Sequence, residues 1–224
     1  MLTNTKLYKI TCILLIILLF CVRLEAQKIK GAIIAGMNAS QVDGDQVYGW
    51  HKFGVNLGTS AIIPFGDKWS VCLENLYNQK GSYQRPQYPD PDSSGEYKLI
   101  LDYVEVPVLV TFTDKNFITA GLGASWARLV NFKEYEHGRK VDWSTPYGPY
   151  KRSDVNILVD IRFPIVKRLK FNFRYAYSLA KIRTRDFTKI QTVRDQYNTL
   201  LSFRLIYVFN EKPPPEKSQT ANPH

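Results

Sequence analysis

The sequence predicts an all-β protein, an eight-stranded antiparallel transmembrane β-barrel built as an up-and-down meander with short periplasmic turns and long outer loops. Three observations lead to this expectation: long segments alternate apolar and polar residues, short and long connections alternate, and the last strand ends in an aromatic residue. The mean hydropathy is only −0.24. No long apolar run follows residue 26, which excludes spanning helices but not alternating membrane strands.

The chain begins with the features of a secretory signal peptide, which we assign to residues 1–26. Lys6 and Lys9 precede the apolar run ITCILLIILLFCV, and the small residue Ala26 provides a cleavage site. The run is shorter than the ~20 apolar residues that a spanning helix needs, so an uncleaved anchor is the weaker alternative. After cleavage Cys72 is the one remaining cysteine, which rules out an intrachain disulfide.

Eight segments of the mature chain are predicted to be strands. They cover residues 28–38, 51–63, 68–80, 98–113, 117–130, 153–163, 168–179 and 196–209. In the seventh, LKFNFRYAYSL, the aromatic residues Phe171, Phe173 and Tyr175 alternate with Lys170 and Arg174, which is the period of a pleated strand. Eleven residues at about 3.3 Å each and a tilt of about 40° rise about 28 Å, close to the apolar band of a membrane barrel.

The connections between these segments alternate in length. PFGDK, TDKN and PIVKR follow the second, fourth and sixth strands, whereas long polar segments follow the first, third, fifth and seventh. All long loops therefore lie at one end, which we expect to be the outer one. Residues 27–210 form the predicted barrel, closed by the first and eighth strands. The Pro-rich segment 211–224 cannot join a sheet and is expected to be a flexible periplasmic tail.

Strand parity assigns a set of charged side chains to the interior of the barrel. The set is Glu74, Glu105, Asp160, Arg162, Arg174 and Arg204. An eight-stranded barrel is only wide enough for side chains to fill it, so the neighbouring carboxylates of Glu74 and Glu105 would be desolvated and would repel each other. Arg174 and Arg204 lie roughly opposite them. We therefore expect a structural salt-bridge network rather than a path for protons or ions.

A second set of candidate residues consists of basic side chains in the last two long loops. The set is Arg139, Lys140, Lys151, Arg152, Arg183 and Arg185. We interpret these as contacts to lipopolysaccharide phosphates at the outer leaflet, the plainer alternative being ordinary solvated loop charge. The expected partners are outer-membrane lipid and lipopolysaccharide, the barrel assembly machinery during insertion, and an envelope or secretion protein. Nucleic acid is not expected.

Catalytic and metal-binding patterns are not apparent in the sequence. His51, His137 and His224 are far apart, Cys72 has no histidine near it, and no phosphate-binding glycine motif occurs. We therefore expect no metal, no cofactor and no enzymatic activity.

Several segments resemble the PorT-type family of outer-membrane β-barrels. The stretches KIKGAIIAGMNAS and GVNLGTSAIIPFGDKWSVCLENLYNQKGSY are similar to the family's opening hairpins, which carry a G-x-N motif and then a strand of the type E-L-x-Y-x-x-K-G. The second motif runs here from Glu74 to Gly81, with Asn75 in place of the usual apolar residue. LDYVEVPVLVTF and FITAGLGASWARL match the next two strands. The resemblance implies a small outer-membrane barrel, and some members of the family are accessories of type IX secretion and gliding.

The predicted function is that of an integral outer-membrane protein, located there after signal cleavage, without an open pore or catalytic site. Its role is structural or interactive, and the resemblance adds an accessory role in secretion or envelope assembly. One alternative is a soluble periplasmic or secreted barrel that binds an apolar ligand, which requires inward-facing aromatic residues. Another is a lipid-modifying barrel enzyme, which requires an acid–base pair at the rim.

Overall fold

The computed structural model describes residues 29–115, 117–146, 148–187 and 192–209. The predicted signal peptide (1–26) and tail (211–224) lie outside these ranges. Over the described part of the chain, no helix is long and apolar enough to cross a membrane.

Ten strands account for the regular structure of the described ranges. They are β1 (Lys30–Asp43), β2 (Lys52–Pro64), β3 (Trp69–Gln84), β4 (Tyr97–Asp114), β5 (Ile118–Glu136), β6 (Arg139–Lys140), β7 (Ser153–Val166), β8 (Leu169–Ser178), β9 (Arg183–Phe187) and β10 (Thr192–Val208). The expectation of an all-β chain is confirmed.

The strands form an antiparallel meander in the order β1-β2-β3-β4-β5-β7-β8-β10, in which each long strand pairs with the next. The two short strands are additions, since β6 pairs with β5 and β9 pairs with β10. β10 also pairs with β1, in a register that runs from Ala32 opposite Val208 to Asp43 opposite Tyr197. Both long edges of the meander are therefore hydrogen-bonded to each other.

The connections between the long strands are short at one end of the sheet and longer at the other. The short connections between β2 and β3, between β4 and β5, and between β7 and β8 lie at one end, which we call the turn end. The opposite end, the loop end, carries the four longer connections after β1, β3, β5 and β8. The short strands β6 and β9 lie within two of these longer connections.

Several strands extend further at the loop end than the sequence pattern indicates. β1 continues to Asp43 and β5 to Glu136, and β9 forms where an irregular loop was expected. The extensions surround a buried apolar cluster made of Val42, Val47, Tyr97, Leu99, Leu101, Tyr103, Ala127, Leu129, Tyr150 and Ile182. Tertiary packing around this cluster stabilises the extra strand residues, whereas local alternation alone does not predict them.

Burial alternates along every long strand and gives the sheet two unlike faces. The outer face carries large exposed apolar side chains, and on β4 Val104, Val106, Val108 and Val110 are 37–47% exposed. The same band continues on the other strands with Ile33, Met37, Val55, Leu57, Leu73, Leu122, Ile157, Val159, Phe203 and Leu205. The inner face carries most of the buried charged and amide side chains.

Aromatic rings border the apolar band at both ends. At the turn end, Trp69 packs against Phe112 with ring centroids 5.0 Å apart, and Phe117 in the turn after β4 is exposed. At the loop end, Tyr177 stacks on Tyr197 at 6.2 Å. Aromatic residues at two levels flanking an apolar band are typical of a membrane-embedded surface.

Candidate functional site

The inner face is centred on the carboxylate of Glu74, a residue of β3. Arg174 Nη2 and Arg162 Nη2 donate to Glu74 Oε1 at 3.0 and 3.2 Å. Arg204 Nη1 donates to the other oxygen, Oε2, at 3.3 Å. Three guanidinium groups from β7, β8 and β10 therefore converge on one buried carboxylate, across the interior from its own strand.

Asp160 on β7 completes this first cluster. Arg162 Nη2 and Arg174 Nη2 donate to Asp160 Oδ2 at 2.9 and 3.0 Å, and Arg174 Nε donates to Oδ1. Arg204 Nη2 lies 3.6 Å from the same carboxylate. Each of these side chains is at most 4% exposed. Such charges are tolerated because they are paired and hydrogen-bonded on several sides.

A second cluster lies nearer the loop end and is centred on Lys80. Lys80 Nζ lies 3.3 Å from Glu105 Oε2 and 3.2 Å from Asp154 Oδ2. It also donates to Asn156 Oδ1 at 3.1 Å and lies 5.0 Å from the centroid of the Tyr103 ring. One fully buried ammonium group is thus ion-paired with two buried carboxylates.

Neutral donors satisfy the remaining lone pairs of the second cluster. Asn78 Nδ2 and Ser125 Oγ donate to Glu105 at 2.7 and 2.6 Å. Ser178 Oγ and Asn198 Nδ2 donate to Asp154 at 2.7 and 3.0 Å. These contacts come from β3, β5, β8 and β10, so the carboxylates connect strands all around the inner face.

The two clusters together carry balanced charge. The cations are Lys80, Arg162, Arg174 and Arg204, and the carboxylates are Glu74, Glu105, Asp154 and Asp160. The first cluster has one excess positive charge and the second one excess negative charge. Their sum is zero, which suits an interior that mobile ions do not enter.

The structure brings all six interior residues expected from the sequence to the inner face, but it groups them differently. Glu105 lies opposite Leu76 in the strand register and meets Lys80 rather than the arginines that surround Glu74. Sequence reasoning did not select Lys80 or Asp154. Strand parity would have predicted that both face inward. Lys80 has the same parity as Glu74 on β3, and Asp154 has the same parity as Asp160 on β7.

Over the described ranges, no group of three or more His, Cys, Asp or Glu side chains is placed to hold a metal ion. The contacts of the inner face are ion pairs and hydrogen bonds that link neighbouring and opposite strands, in a sheet whose outer face is apolar.

Comparison with known proteins identifies the family. The family profile described as "Outer membrane protein beta-barrel domain" matches residues 26–183, more than half of the chain. The chain belongs to this outer-membrane β-barrel family. The expectation of a small outer-membrane barrel family is thereby confirmed, and the narrower PorT-type assignment stays a prediction. A comparison with curated proteins finds no match.

Solved structures with a similar course of the chain come from several bacteria. Neisserial surface protein A is 13% identical, with a TM-score of 0.46 and coverage of 79% of this chain and 96% of that chain. Ail of Yersinia pestis is 15% identical, with a TM-score of 0.43 and coverage of 80% and 98%. OprG from Pseudomonas aeruginosa is 12% identical, with a TM-score of 0.38 and coverage of 82% and 97%. The family assignment rests on the profile match alone.

The G-x-N motif of this β-barrel family member has a packing role next to the first cluster. Gly36 lies opposite Arg204 in the β1–β10 register. A Cβ atom at Gly36 would lie 2.3 Å from the Phe203 carbonyl oxygen and 2.7 Å from Arg204 Cα. Two residues later, Asn38 Nδ2 donates to Asn78 Oδ1 at 2.5 Å. Gly36 therefore allows β1 and β10 to approach each other closely at the position of the buried Arg204.

Gly36→Ala is expected to lower the free energy of unfolding by about 1–3 kcal/mol, because overpacking moves the strand that carries Arg204. Gly31→Ala on the same strand is the matched control, since a Cβ atom there would make an ordinary 3.4 Å contact with the Phe209 ring. Urea unfolding of both variants from lipid vesicles measures the difference. Equal midpoints would contradict the packing role.

A third group of polar residues lies at the loop end around Glu134. Tyr97 Oη and Trp143 Nε1 each donate to this carboxylate at 2.9 Å. Arg183 Nη1 donates to Glu134 Oε1 at 3.0 Å and to Tyr150 Oη at 2.9 Å. Arg183 is only 8% exposed, so the expectation that it contacts lipopolysaccharide is not compatible with its position. It holds the loop segments together instead.

The other basic residues proposed for lipopolysaccharide contact lie at the loop-end surface. Arg139, Lys140, Lys151 and Arg152 are exposed and Arg185 is half-buried. Arg139 Nη2 lies 2.5 Å from Asp92 Oδ1, and Arg185 Nη2 lies 2.7 Å from Glu136 Oε1. Part of this positive charge is therefore already balanced by loop carboxylates.

Asp45 is a buried titratable group of the loop after β1, outside the strands. Its Oδ1 accepts a hydrogen bond from the Val47 amide at 2.8 Å, and burial raises the pKa of Asp45 from 3.8 to about 6. A raised pKa means that the folded state binds the proton more tightly than the unfolded state. Stability is therefore expected to fall as the pH rises from about 4 through about 6.

Asp45→Asn is expected to remove this pH dependence, because the amide oxygen still accepts from Val47 and no charge is desolvated. At pH 8 the variant should be more stable by roughly 2–3 kcal/mol, at about 1.4 kcal/mol per pKa unit. Urea midpoints at pH 4.5, 6 and 8 test this, with Asp142→Asn in an exposed loop as the control. A variant that is less stable than wild type at pH 8 would contradict it.

Proposed function

We propose that the meander closes through the β1–β10 pairing into an eight-stranded transmembrane barrel of the outer membrane. The observation that carries the proposal is the reversal of the two faces, with an apolar band outside and charged residues inside. Water-soluble proteins rarely expose contiguous apolar patches larger than a few hundred Å². In the proposed orientation, the turn end faces the periplasm and the loop end faces outward, after removal of the signal peptide.

The soluble ligand-binding barrel is disfavoured by the direction of the side chains on β8. Phe171, Phe173 and Tyr175 lie on the outer face, whereas Asn172 and Arg174 are buried on the inner one. An apolar ligand in the middle of this interior would have to displace paired charges without replacing their partners.

The proposed barrel has no open pore and no catalytic site. Lys80 and Arg204 are among the largest fully buried side chains, and the charged residues of both clusters are buried on the inner face. The proposed role is to support the structure of the membrane or to interact with other envelope proteins. An accessory role in secretion or envelope assembly is supported by the PorT-type resemblance.

Membrane insertion is tested by fractionation and by electrophoresis of unheated and heated samples. The protein should remain with outer membranes after carbonate and urea washing, and its mobility should change on heating. Planar bilayers that contain it should show no steady conductance. Recovery as a soluble species would contradict the barrel, and a stable ohmic channel would contradict the closed interior.

The proposed partners are outer-membrane lipid, the barrel assembly machinery during insertion, an envelope or secretion protein, and lipopolysaccharide. The proposed contact with lipopolysaccharide is tested at the exposed neighbouring residues Lys151 and Arg152. Replacing both with Gln should weaken binding of purified lipopolysaccharide, whereas Lys115→Gln at the turn end should not. Crosslinking in intact cells, followed by detergent extraction and pull-down, would identify a protein partner.

A further inference from the structure

The outer face changes from apolar to polar at one row of the β3–β4–β5 sheet near the loop end. On β4 the exposed valines end at Val104, and the next residue on that side of the strand is Asp102. Tyr77 of β3 and Arg128 of β5 lie opposite Val104 in the strand register. The row formed by Tyr77, Val104 and Arg128 is therefore the loop-end border of the apolar band.

The position of Arg128 along β5 agrees with this border. Arg128 lies ten residues beyond Ile118, the first residue of β5 at the turn end. At about 3.3 Å per residue and a tilt of about 40°, this separation gives a height of about 25 Å, which is the height of the apolar band of outer-membrane barrels. In the proposed barrel, the Arg128 side chain therefore lies at the level of the lipid headgroups.

Arg128 has no acidic partner in the protein. It has the parity of Trp126, which is exposed on the outer face, and within the described ranges no carboxylate forms an ion pair with it. Asp102, in the next row, is only 6% exposed and accepts from Gln79 Nε2 at 2.9 Å and Asn131 Nδ2 at 2.7 Å. An unpaired arginine is costly among acyl chains but is stabilised beside an anionic headgroup.

A second outward cation lies on the same strand, farther from the apolar band. Val130 has no partner in the β4 register, so Lys133 lies four paired positions beyond Arg128, which is about 10 Å in height. Lys133 is exposed, and no described carboxylate pairs with it. Lys98 on β4 lies diagonally beyond it, with Nζ 6.0 Å from the centroid of the Tyr135 ring. The outer wall of β4 and β5 thus carries positive charge at two heights.

A phosphorylated glycolipid has the chemistry that matches these two heights. A guanidinium group binds phosphate oxygens through two parallel hydrogen bonds. Simple anionic phospholipids carry their phosphate only at the border of the acyl chains. Lipid A, the membrane anchor of lipopolysaccharide, has phosphates at this border, and the inner core sugars attached to it carry further anionic groups above. On the other side of Arg128, Ser153 of β7 is exposed and adds a hydroxyl group beside it.

We propose that the outer wall of β4 and β5 binds one lipopolysaccharide molecule through its lipid A. Arg128 pairs with a lipid A phosphate, and Lys133 and Lys98 contact anionic groups of the inner core sugars. The acyl chains lie along the apolar band. This inference rests on the proposed barrel, but it places the site on the lipid-facing wall rather than at the loop residues Lys151 and Arg152.

The test uses the full chain in phosphatidylcholine nanodiscs that contain purified lipid A in both leaflets, so the result does not depend on which end faces outward. Native mass spectrometry of the released protein measures the fraction with bound lipid A as its content in the discs is raised. Arg128→Gln should weaken binding about tenfold, the effect of one charge-assisted contact at a partly hydrated site. Arg139→Gln, at an exposed loop arginine, is the matched control and should leave binding unchanged.

A second probe, lipid A that keeps its acidic inner core sugars, tests the contacts above the border. Lys133→Gln/Lys98→Gln should weaken binding of this probe about fivefold, the effect of two exposed charge contacts. The same double variant should bind plain lipid A as the wild type does. Equal losses with both probes would contradict the assignment of these lysines to the core sugars.

Three results would overturn the lipid A site while leaving the barrel intact. Equal losses in Arg128→Gln and Arg139→Gln would show a general attraction of anions to the loop end. Wild-type binding of dephosphorylated lipid A as strong as that of lipid A would show that phosphate is not recognised. Displacement of lipid A by an equal amount of phosphatidylglycerol would show a site for anionic lipids in general. Failure of the barrel itself is recognised separately, because the protein would then not enter the nanodiscs.

Discussion

Glu74→Gln is expected to lower the free energy of unfolding by about 3–5 kcal/mol, the range found when one partner of a buried ion pair is removed. The substitution keeps the shape of the side chain but leaves Arg162, Arg174 and Arg204 with one carboxylate, that of Asp160. All three guanidinium groups are buried, so water cannot replace the lost charge. Urea unfolding from lipid vesicles measures the change in midpoint.

A compensating substitution distinguishes charge imbalance from a simple packing defect. Glu74→Gln/Arg204→Met removes one charge of each sign, and we expect it to be more stable than Glu74→Gln alone. Glu96→Gln, a change of the same type in a long loop, should shift stability by no more than about 0.5 kcal/mol. A double variant that is less stable than the single one by the full effect of Arg204→Met would rule out coupling between the two residues.

The inner-face residues were predictable because a strand has a period of two. Once Glu74 was placed inward, parity carried Arg174 and Arg204 inward too, since a slip by one residue would turn every side chain of a strand to the opposite face. The same rule would have selected Lys80 and Asp154. Parity does not predict the position of a side chain along the barrel axis, because that position depends on the register between strands. That is why Glu105 was expected beside the arginines and lies instead beside Lys80.

The loop end was less predictable for a different physical reason. Arg183 lies in the sequence AKIRTRDF, a short segment rich in basic residues that by itself is typical of an exposed polar loop. Its burial depends on Glu134 and Tyr150, which come from distant segments. Beyond the membrane level, both faces of a strand can meet water, so the pattern that marks the spanning segments fades. Contacts between loops then decide the structure, and a single sequence does not reveal them.

The residues that carry the PorT-type resemblance are largely those that build the interior. Gly36 and Asn38 form the G-x-N motif, and Glu74 and Lys80 belong to the E-L-x-Y-x-x-K-G motif. One motif glycine allows close strand approach, and the two charged residues are the centres of the two clusters. Motifs of this kind specify an architecture. They do not specify an activity.

Substitution of Lys80, the centre of the second cluster, is also expected to have a large effect on stability. Lys80→Met leaves the carboxylates of Glu105 and Asp154 without the one ammonium group that lies between them, at 3.3 and 3.2 Å. Met fills a similar volume, so the loss is electrostatic, and we expect the free energy of unfolding to fall by about 3–5 kcal/mol.

Asp154→Asn, added to Lys80→Met, should recover part of that loss, because it removes one of the two unpaired charges while Ser178 and Asn198 keep hydrogen-bonding partners at position 154. Lys98→Met on the exposed face of β4 is the matched control, and it should change stability by no more than about 0.5 kcal/mol. If Lys80→Met unfolds at the wild-type urea concentration, the second cluster contributes nothing net to stability. The outer face and the first cluster alone would then have to hold the barrel, and Glu105 and Asp154 would have to be neutralised by groups other than Lys80.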